Sequence, residues 1–281
     1  MATRSSRAAA PLNAYVLHRY DWSESSLILD VFTREQGRLA VAAKGAKRPY
    51  SQLRAVLLPF QRIQVSLGRV PSGDGASEVQ TLRSAEWAGG PAMLTESALF
   101  SGFYLNELLM KLLARNDPHV YLFDAYALTL PSLSSTDESV VEAALRAFEL
   151  RLLREVGVLP ELSQITLTQQ PLQLSGLYTL LPEAGVAAQR PGEAEVTGTT
   201  LIGLQAALQH GSLAALQQAC KPALPALKIQ LRRLLHYHLG GVPLRTRQVM
   251  MDLQGLERPA SATSSTSTAR INDEPPADHR H

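Results

Sequence analysis

The chain has a single cysteine, Cys220, in 281 residues. One thiol excludes an internal disulfide and any zinc site built from several cysteines, and it fits a reducing compartment. No apolar run approaches the ~18–20 uncharged residues that a membrane helix needs. The first eleven residues carry Arg4 and Arg7 but lead into no apolar core, so no secretory signal is expected. Catalytic signatures are missing as well. There is no Gly-x-x-x-x-Gly-Lys phosphate loop, no Gly-x-Gly-x-x-Gly and no Gly-x-Ser-x-Gly elbow. Gly73-Asp74-Gly75 reads as a hairpin turn only. His236 and His238 flank Tyr237 at i, i+2, on different helix faces, where a positive charge near a helix C-terminus suits them better than a metal does. His279 and His281 lie in the tail. No cofactor, no metal site and no enzyme activity are expected, and the expected location is cytoplasmic.

What remains is ordinary: 45% hydrophobic, 19% charged and 6% aromatic residues, the composition of a folded globular chain. The 27 basic and 25 acidic residues give +2, but they are unevenly placed. From Arg34 to Arg69 there are eight basic residues (Arg34, Arg38, Lys44, Lys47, Arg48, Arg54, Arg62, Arg69) against one acid, Glu35. Lys221, Lys228, Arg232, Arg233, Arg245 and Arg247 form a second cluster with no acid among them. Such local fields attract polyanions even near zero total charge.

The first part of the chain reads as strands: Asn13–Tyr20, Ser25–Thr33, Gly37–Lys44, Arg62–Gly68 and Glu78–Ala85, with a turn at Pro71–Gly75. Ser25–Thr33 is apolar on both faces. Five short strands with a gap after the third suit an OB-fold barrel, although an SH3-like barrel has a similar pattern. Beyond Gly89-Gly90-Pro91 the period becomes helical. Leu105, Leu108, Leu109, Leu112 and Leu113 share a face, with Asn106, Glu107 and Lys111 largely opposite. Val120–Leu130 is closed by Pro131. Ser135 and Glu138 have capping-box spacing for a helix bearing Leu145, Phe148, Leu152 and Val156, ended by Gly157. Helices resume at Leu201–Gln209 and Leu224–Leu239. The predicted class is α+β: an N-terminal OB-fold barrel followed by an all-helical domain with an irregular insertion. The predicted boundaries are a flexible N-terminus (1–12), the barrel (13–88), the helical domain (89–255, insertion about 163–200) and a disordered tail (256–281).

A groove on a small barrel binds single-stranded nucleic acid by pairing cations with phosphates while aromatic faces stack bases. The barrel stretch offers Arg34, Arg38, Lys44, Lys47, Arg48 and Arg54, with Tyr50 beside them and Tyr15, Tyr20, Trp22 and Phe32 on or near the same strands. The bland alternative is a solvated rim around a core of aromatics. Lys228, Arg232, Arg233, Arg245 and Arg247 supply a second candidate nucleic-acid surface. A nucleic-acid hydrolase would need clustered carboxylates. Asp21, Glu24 and Asp30 come nearest, and strand alternation scatters Glu24 and Asp30 among solvent positions. An adaptor that grips a partner protein, with incidental DNA contact, is the competing reading.

Several segments in register carry a resemblance. Trp22-Ser23-Glu24-Ser25-Ser26-Leu27, Phe32-Thr33-Arg34-Glu35-Gln36-Gly37-Arg38, Ala43-Lys44-Gly45-Ala46 and Leu58-Pro59-Phe60 belong to it. So do Thr81 to Glu86, Tyr104 to Leu109, Leu145 to Glu149, Leu239-Gly240-Gly241 and Pro243 to Arg247. Together they resemble the RecO family of bacterial DNA repair proteins. The resemblance implies an OB-fold followed by a helical domain. It also implies a non-enzymatic recombination mediator that binds single- and double-stranded DNA. Such a mediator anneals complementary strands coated by single-stranded-DNA-binding protein and works with RecR to load RecA. The implied partners are therefore DNA, RecR, the C-terminal tail of the single-stranded-DNA-binding protein and, indirectly, RecA. The position implied for contact with that tail is Arg146, beside Phe148; alternatively Arg146 is a structural partner of Glu142, Glu149 or Asp124. Some members of the family hold zinc with four cysteines in the insertion. Residues 163–198 here contain none, so the insertion is expected to be held by packing alone.

Overall fold

The structure, a computed structural model, describes residues 10–68, 79–90 and 93–249. The expected turn at Pro71–Gly75, most of the N-terminal stretch and the tail lie outside the described residues. Strands β1 (Leu12–Asp21), β2 (Leu27–Thr33), β3 (Gly37–Ala43), β4 (Arg62–Leu67) and β5 (Val79–Trp87) close into a barrel in the order β1-β2-β3-β5-β4. β3 and β5 run parallel and every other neighbouring pair is antiparallel. A single helical turn, α1 (Leu53–Val56), fills the gap before β4. This is the OB-type barrel expected.

Alternation sorts the strand residues. Val16, Leu29, Val31, Leu39, Val41, Ile63 and Val65 fill the barrel. Tyr15, Leu17 and Phe32 point the other way, into the core of the helical region. Both faces of β2 are apolar because each packs on a different core. Phe32 is wholly buried yet lies outside the barrel, against Phe123 with ring centroids 5.4 Å apart. Tyr15 meets Phe123 at 5.3 Å and Tyr126 edge-on at 4.9 Å. Aromatic pairs of this kind add about 0.5–1.5 kcal/mol each beyond area burial.

The helical region contains α2 (Glu96–Leu112), α3 (Val120–Ser132), α4 (Glu138–Glu155), α5 (Gly198–His210), α6 (Leu213–Cys220) and α7 (Leu224–His238). Four local expectations need correction. Asp137, not Ser135, caps α4, its carboxylate accepting from the Ser139 N–H at 2.9 Å. Pro131 sits inside the last turn of α3 rather than ending the helix. Asn106 and Glu107 are buried, because the barrel and the C-terminal chain cover the α2 face that the leucine pattern leaves polar. The insertion is not irregular throughout. β6 (Leu177–Leu181), β7 (Gly185–Ala188) and β8 (Val196–Thr197) form a three-stranded sheet in the order β7-β6-β8. That sheet is held by more than packing. Buried Gln230 of α7 accepts from the Leu180 N–H and donates to the Ala194 carbonyl, and Arg233 pairs with Glu193 at 3.2 Å.

Barrel and helices are joined by polar ties as well as aromatics. Arg34 makes a two-pronged pair with Asp124, both contacts 2.9 Å. Arg38 donates to the carbonyls of Met110 and Leu113 at the end of α2. Asn106 donates to the Leu17 carbonyl at 3.0 Å and accepts from the Tyr126 hydroxyl at 2.5 Å. Gly37, at φ +71°, presses the β2–β3 turn against the backbone of Asp117, where any Cβ would collide with the Asp117 carbonyl.

Candidate nucleic-acid rim and partner groove

The β1–β2 turn (22–26) and the β3–α1 connection (44–52) meet at one end of the barrel. Gly45, at φ +71°, lets the chain turn there, and its N–H donates to Ser26 Oγ at 3.4 Å. The Lys47 N–H donates to the Ser25 carbonyl at 3.0 Å. Between the two loops lies a cleft bordered by Trp22, Ser23, Lys44 and Arg48. Lys44, Arg48, Tyr50 and Arg54 are exposed, Tyr50 to 99%, and Trp22 to 59%. Among the described residues Lys44, Arg48 and Arg54 carry no ion pair. Lys47 is different: its ammonium donates to the Ser23 carbonyl at 3.1 Å and pairs with Asp21 at 3.2 Å. It holds the turn closed.

Arg34 and Arg38 leave the rim set, because both guanidiniums are spent on the junction with the helices. Arg38 also pairs with Asp30 at 3.2 Å, and Arg115 approaches the other oxygen of that carboxylate at 3.6 Å. Asp30 is therefore buried rather than solvent-facing, and burial raises its pKa against the opposing pull of Arg38 and Arg115. Asp21 is engaged by Lys47 and Asp30 by two arginines, and among the described residues no group of three or more acids, histidines or cysteines gathers that could hold a metal.

Apart from Lys221, which is exposed, the second basic cluster divides three ways. Arg233 is bound to the insertion through Glu193. Arg245 borders the cleft between barrel and helices. Lys228, Arg232 and Arg247 surround a groove between α2, α4, α7 and residues 242–247, walled by Leu145, Leu235, Leu239, Val242, Pro243 and Leu244. Arg146 lies in its floor. Its Nη2 donates to Glu149 Oε1 at 2.7 Å, and the Tyr104 hydroxyl donates to the same oxygen at 2.7 Å. Arg146 Nε and Glu149 Oε2 are buried without a hydrogen-bond partner. A buried N–H left so costs roughly 1–3 kcal/mol. Burial raises the Glu149 pKa, against the charge of Arg146 and the Tyr104 hydrogen bond. Lys228 pairs with Glu142 at 2.5 Å on the rim of the groove, and Asp124 is occupied by Arg34, so Glu149 alone of the three acids considered partners Arg146. Phe148 points away from the groove; it is fully buried and packs on Tyr126. It is a core residue, not a contact for a partner.

Glu149 was named from the sequence as one of three acids that could partner Arg146, and it does so; Tyr104 and Glu107 were not singled out as site residues by sequence reasoning. The signal for Glu107 was a carboxylate between leucines on α2. It accepts from the N–H groups of Arg245 and Thr246, at 2.9 Å each, and from the Thr246 hydroxyl at 2.8 Å. Although burial works against it, these bonds and Lys111 hold its pKa below the ordinary value. Glu107 thus pins residues 245 and 246, and with them the wall of the groove. Cys220 is buried, and burial pushes its thiol up to about 12, which makes it inert at neutral pH.

Two family models match the chain, one described as Recombination protein O N terminal over residues 10–90 and one as Recombination protein O C terminal over residues 96–248. A DNA repair protein RecO of a Polaromonas species is 52% identical over 245 residues, covering 86% of this chain and 96% of the relative. The protein of the same name from Verminephrobacter eiseniae is likewise 52% identical over 245 residues, with 86% and 96% covered. That from Acidovorax ebreus is 49% identical over 265 residues, covering 90% of this chain and all of the relative.

Proposed function

The chain belongs to the recombination protein O family of DNA repair proteins, and from that premise we propose that it is a recombination mediator with two separate grips. It acts in DNA repair and recombination without catalytic turnover. The rim cations Lys44, Arg48 and Arg54, with Tyr50 and Trp22, bind single- and double-stranded DNA through the backbone. The groove takes the acidic, apolar C-terminal tail of the single-stranded-DNA-binding protein. With both grips engaged, coated complementary strands are brought together, their repulsion lowered by counterion release, and RecR joins the protein in loading RecA.

The observation that carries this reading is Arg146. Its guanidinium is buried in an apolar groove with one N–H unpartnered, and Arg232, Arg247 and Lys228 stand around it. Apolar walls with a cation at the bottom suit a ligand that ends in an apolar side chain and a carboxylate, because that carboxylate must not be buried unpaired. The test is a titration with the tail peptide. Arg146→Ala is expected to weaken peptide binding about tenfold or more, as a charge-assisted contact contributes roughly 1.5–3 kcal/mol. Binding of bare DNA stays within a factor of two. Because Arg146→Ala leaves Glu149 buried without its cation, Arg232→Ala is the companion variant, expected to weaken the peptide several-fold in a protein of unchanged melting temperature. Peptide affinity intact in both variants overturns the reading.

A further inference from the structure

In barrels of this topology the outer face of strands β2 and β3 and the adjoining loops commonly receive the oligonucleotide. Here that face is closed. Phe32 and Asp30 of β2 lie under α2 and α3 or against Arg38, 0% and 3% exposed. A strand held at the rim must leave by another path, and β1 provides one. The pairing of β1 with β2 shifts register between Val16 and His18, and the exposed end of β1 lies beyond that shift. Beyond it His18 and Tyr20 share a face and stack edge to face, ring centroids 4.4 Å apart, with Tyr20 47% exposed. Trp22 follows directly on the end of β1 and borders the rim cleft. Alternate strand residues stand about 6.6 Å apart, a step that bases of an extended single strand can match.

His18 and Tyr20 also open onto the cleft between barrel and helices, whose mouth carries Lys111, Arg115 and Arg245. The side chains of the two carboxylates there, Asp30 and Glu107, are 4% and 8% exposed and already engaged: Asp30 by Arg38 and, at 3.6 Å, Arg115, and Glu107 by the amides of Arg245 and Thr246 and, at 3.8 Å, Lys111. The field that reaches solvent is cationic.

We infer that this interdomain cleft is a second single-stranded-DNA subsite, continuous with the rim. Trp22 and Tyr20 are stacking platforms, and Lys111, Arg115 and Arg245 hold phosphates. The inference rests on DNA binding at the rim, so the experiment separates the two. Labelled oligo-dT of about 8 and about 30 nucleotides, the first short enough for one barrel, is titrated at several salt concentrations. The full-length protein is compared with Lys111→Ala/Arg245→Ala and with Lys44→Ala/Arg48→Ala. The cleft variant should bind the short oligonucleotide as wild type does, and the long one several-fold more weakly. Its salt slope on the long oligonucleotide should be flatter by roughly 1.4, about 0.7 per lost phosphate contact. Iodouracil-substituted oligo-dT, irradiated on the unmodified protein, should crosslink at Tyr20 as well as Trp22. An unchanged slope on the long oligonucleotide with no Tyr20 crosslink overturns the cleft subsite while leaving the rim intact. A rim variant that binds both lengths normally overturns the rim reading, whatever the cleft variant does.

Discussion

The rim of the barrel and the groove of the helical region both carry arginine and lysine, but in opposite states. At the rim Lys44, Arg48 and Arg54 are solvated and, among the described residues, unpaired. In the groove Arg146 is buried and Lys228 is matched to Glu142. Solvated cations attract any polyanion and surrender that attraction to salt. A desolvated cation set among leucines, as Arg146 is, suits a ligand that brings both a carboxylate and an apolar group, and it is screened far less than the exposed Lys228, Arg232 and Arg247 around it. The same residue types therefore give indifferent affinity in one place and chemical selectivity in the other.

The largest expected effect tests whether the groove is distinct from the core beneath it. Phe148→Ala should destabilise the protein by about 3–5 kcal/mol, read from urea unfolding, because it empties a fully buried ring position. Peptide affinity per folded molecule should stay as in wild type. Selective loss of peptide binding in a stable Phe148→Ala protein would return this residue to the groove. Next comes the response to salt. Replacing Lys44, Arg48 and Arg54 together by Ala should flatten the salt slope for oligo-dT by roughly 2, about 0.7 for each contact. Tail-peptide binding by that variant should be unaltered, and its own salt slope should be shallower than that of DNA in the unmodified protein. Equal slopes for peptide and DNA would erase the distinction between the two surfaces.

The smallest effect concerns Glu107, which pins one wall of the groove. Its pKa in the folded protein lies below the ordinary carboxylate value, so its contribution is complete at neutral pH and is lost as pH falls through the folded value. Amide exchange at residues 245 and 246, corrected for intrinsic rate, should accelerate at acid pH before the rest of α2 does. Glu107→Gln should already show that acceleration at neutral pH, with peptide affinity lower by a few-fold. Unchanged protection of both amides in Glu107→Gln would mean that the wall holds itself.

The barrel was legible in the sequence because alternation is a local signal, and each strand carries several of its repeats. The way the barrel is seated was not. Tyr15 and Phe32 are apolar whether they fill the barrel or face a helix, and only the partners Phe123 and Tyr126 decide between the two. Charge counting failed for a related reason. The acids that neutralise Arg34 and Arg38 are Asp124, ninety residues away, and Asp30, which alternation assigned to solvent. The insertion sheet escaped notice because strands of five, four and two residues are too short to display a period. Arg146 was found through the family resemblance. The physical reason it matters, an unpartnered N–H over Glu149, needed the fold of α2 and α7 around it.

Gly37 seated on Asp117, and Arg38 hooked to the carbonyls of Met110 and Leu113 at the end of α2, tie the barrel to the helices. Rim and groove are thereby carried on one joined scaffold, like the two jaws of a caliper. In the function proposed above, the DNA and the protein tail of a coated strand are themselves tethered, so capture of one would present the other at an effective concentration set by geometry rather than by bulk solution. Two individually weak grips then multiply, provided that the coat displays its tail at the caliper's span. Filaments whose tails fall at other distances gain nothing from the second jaw, so spacing becomes a criterion of recognition in its own right.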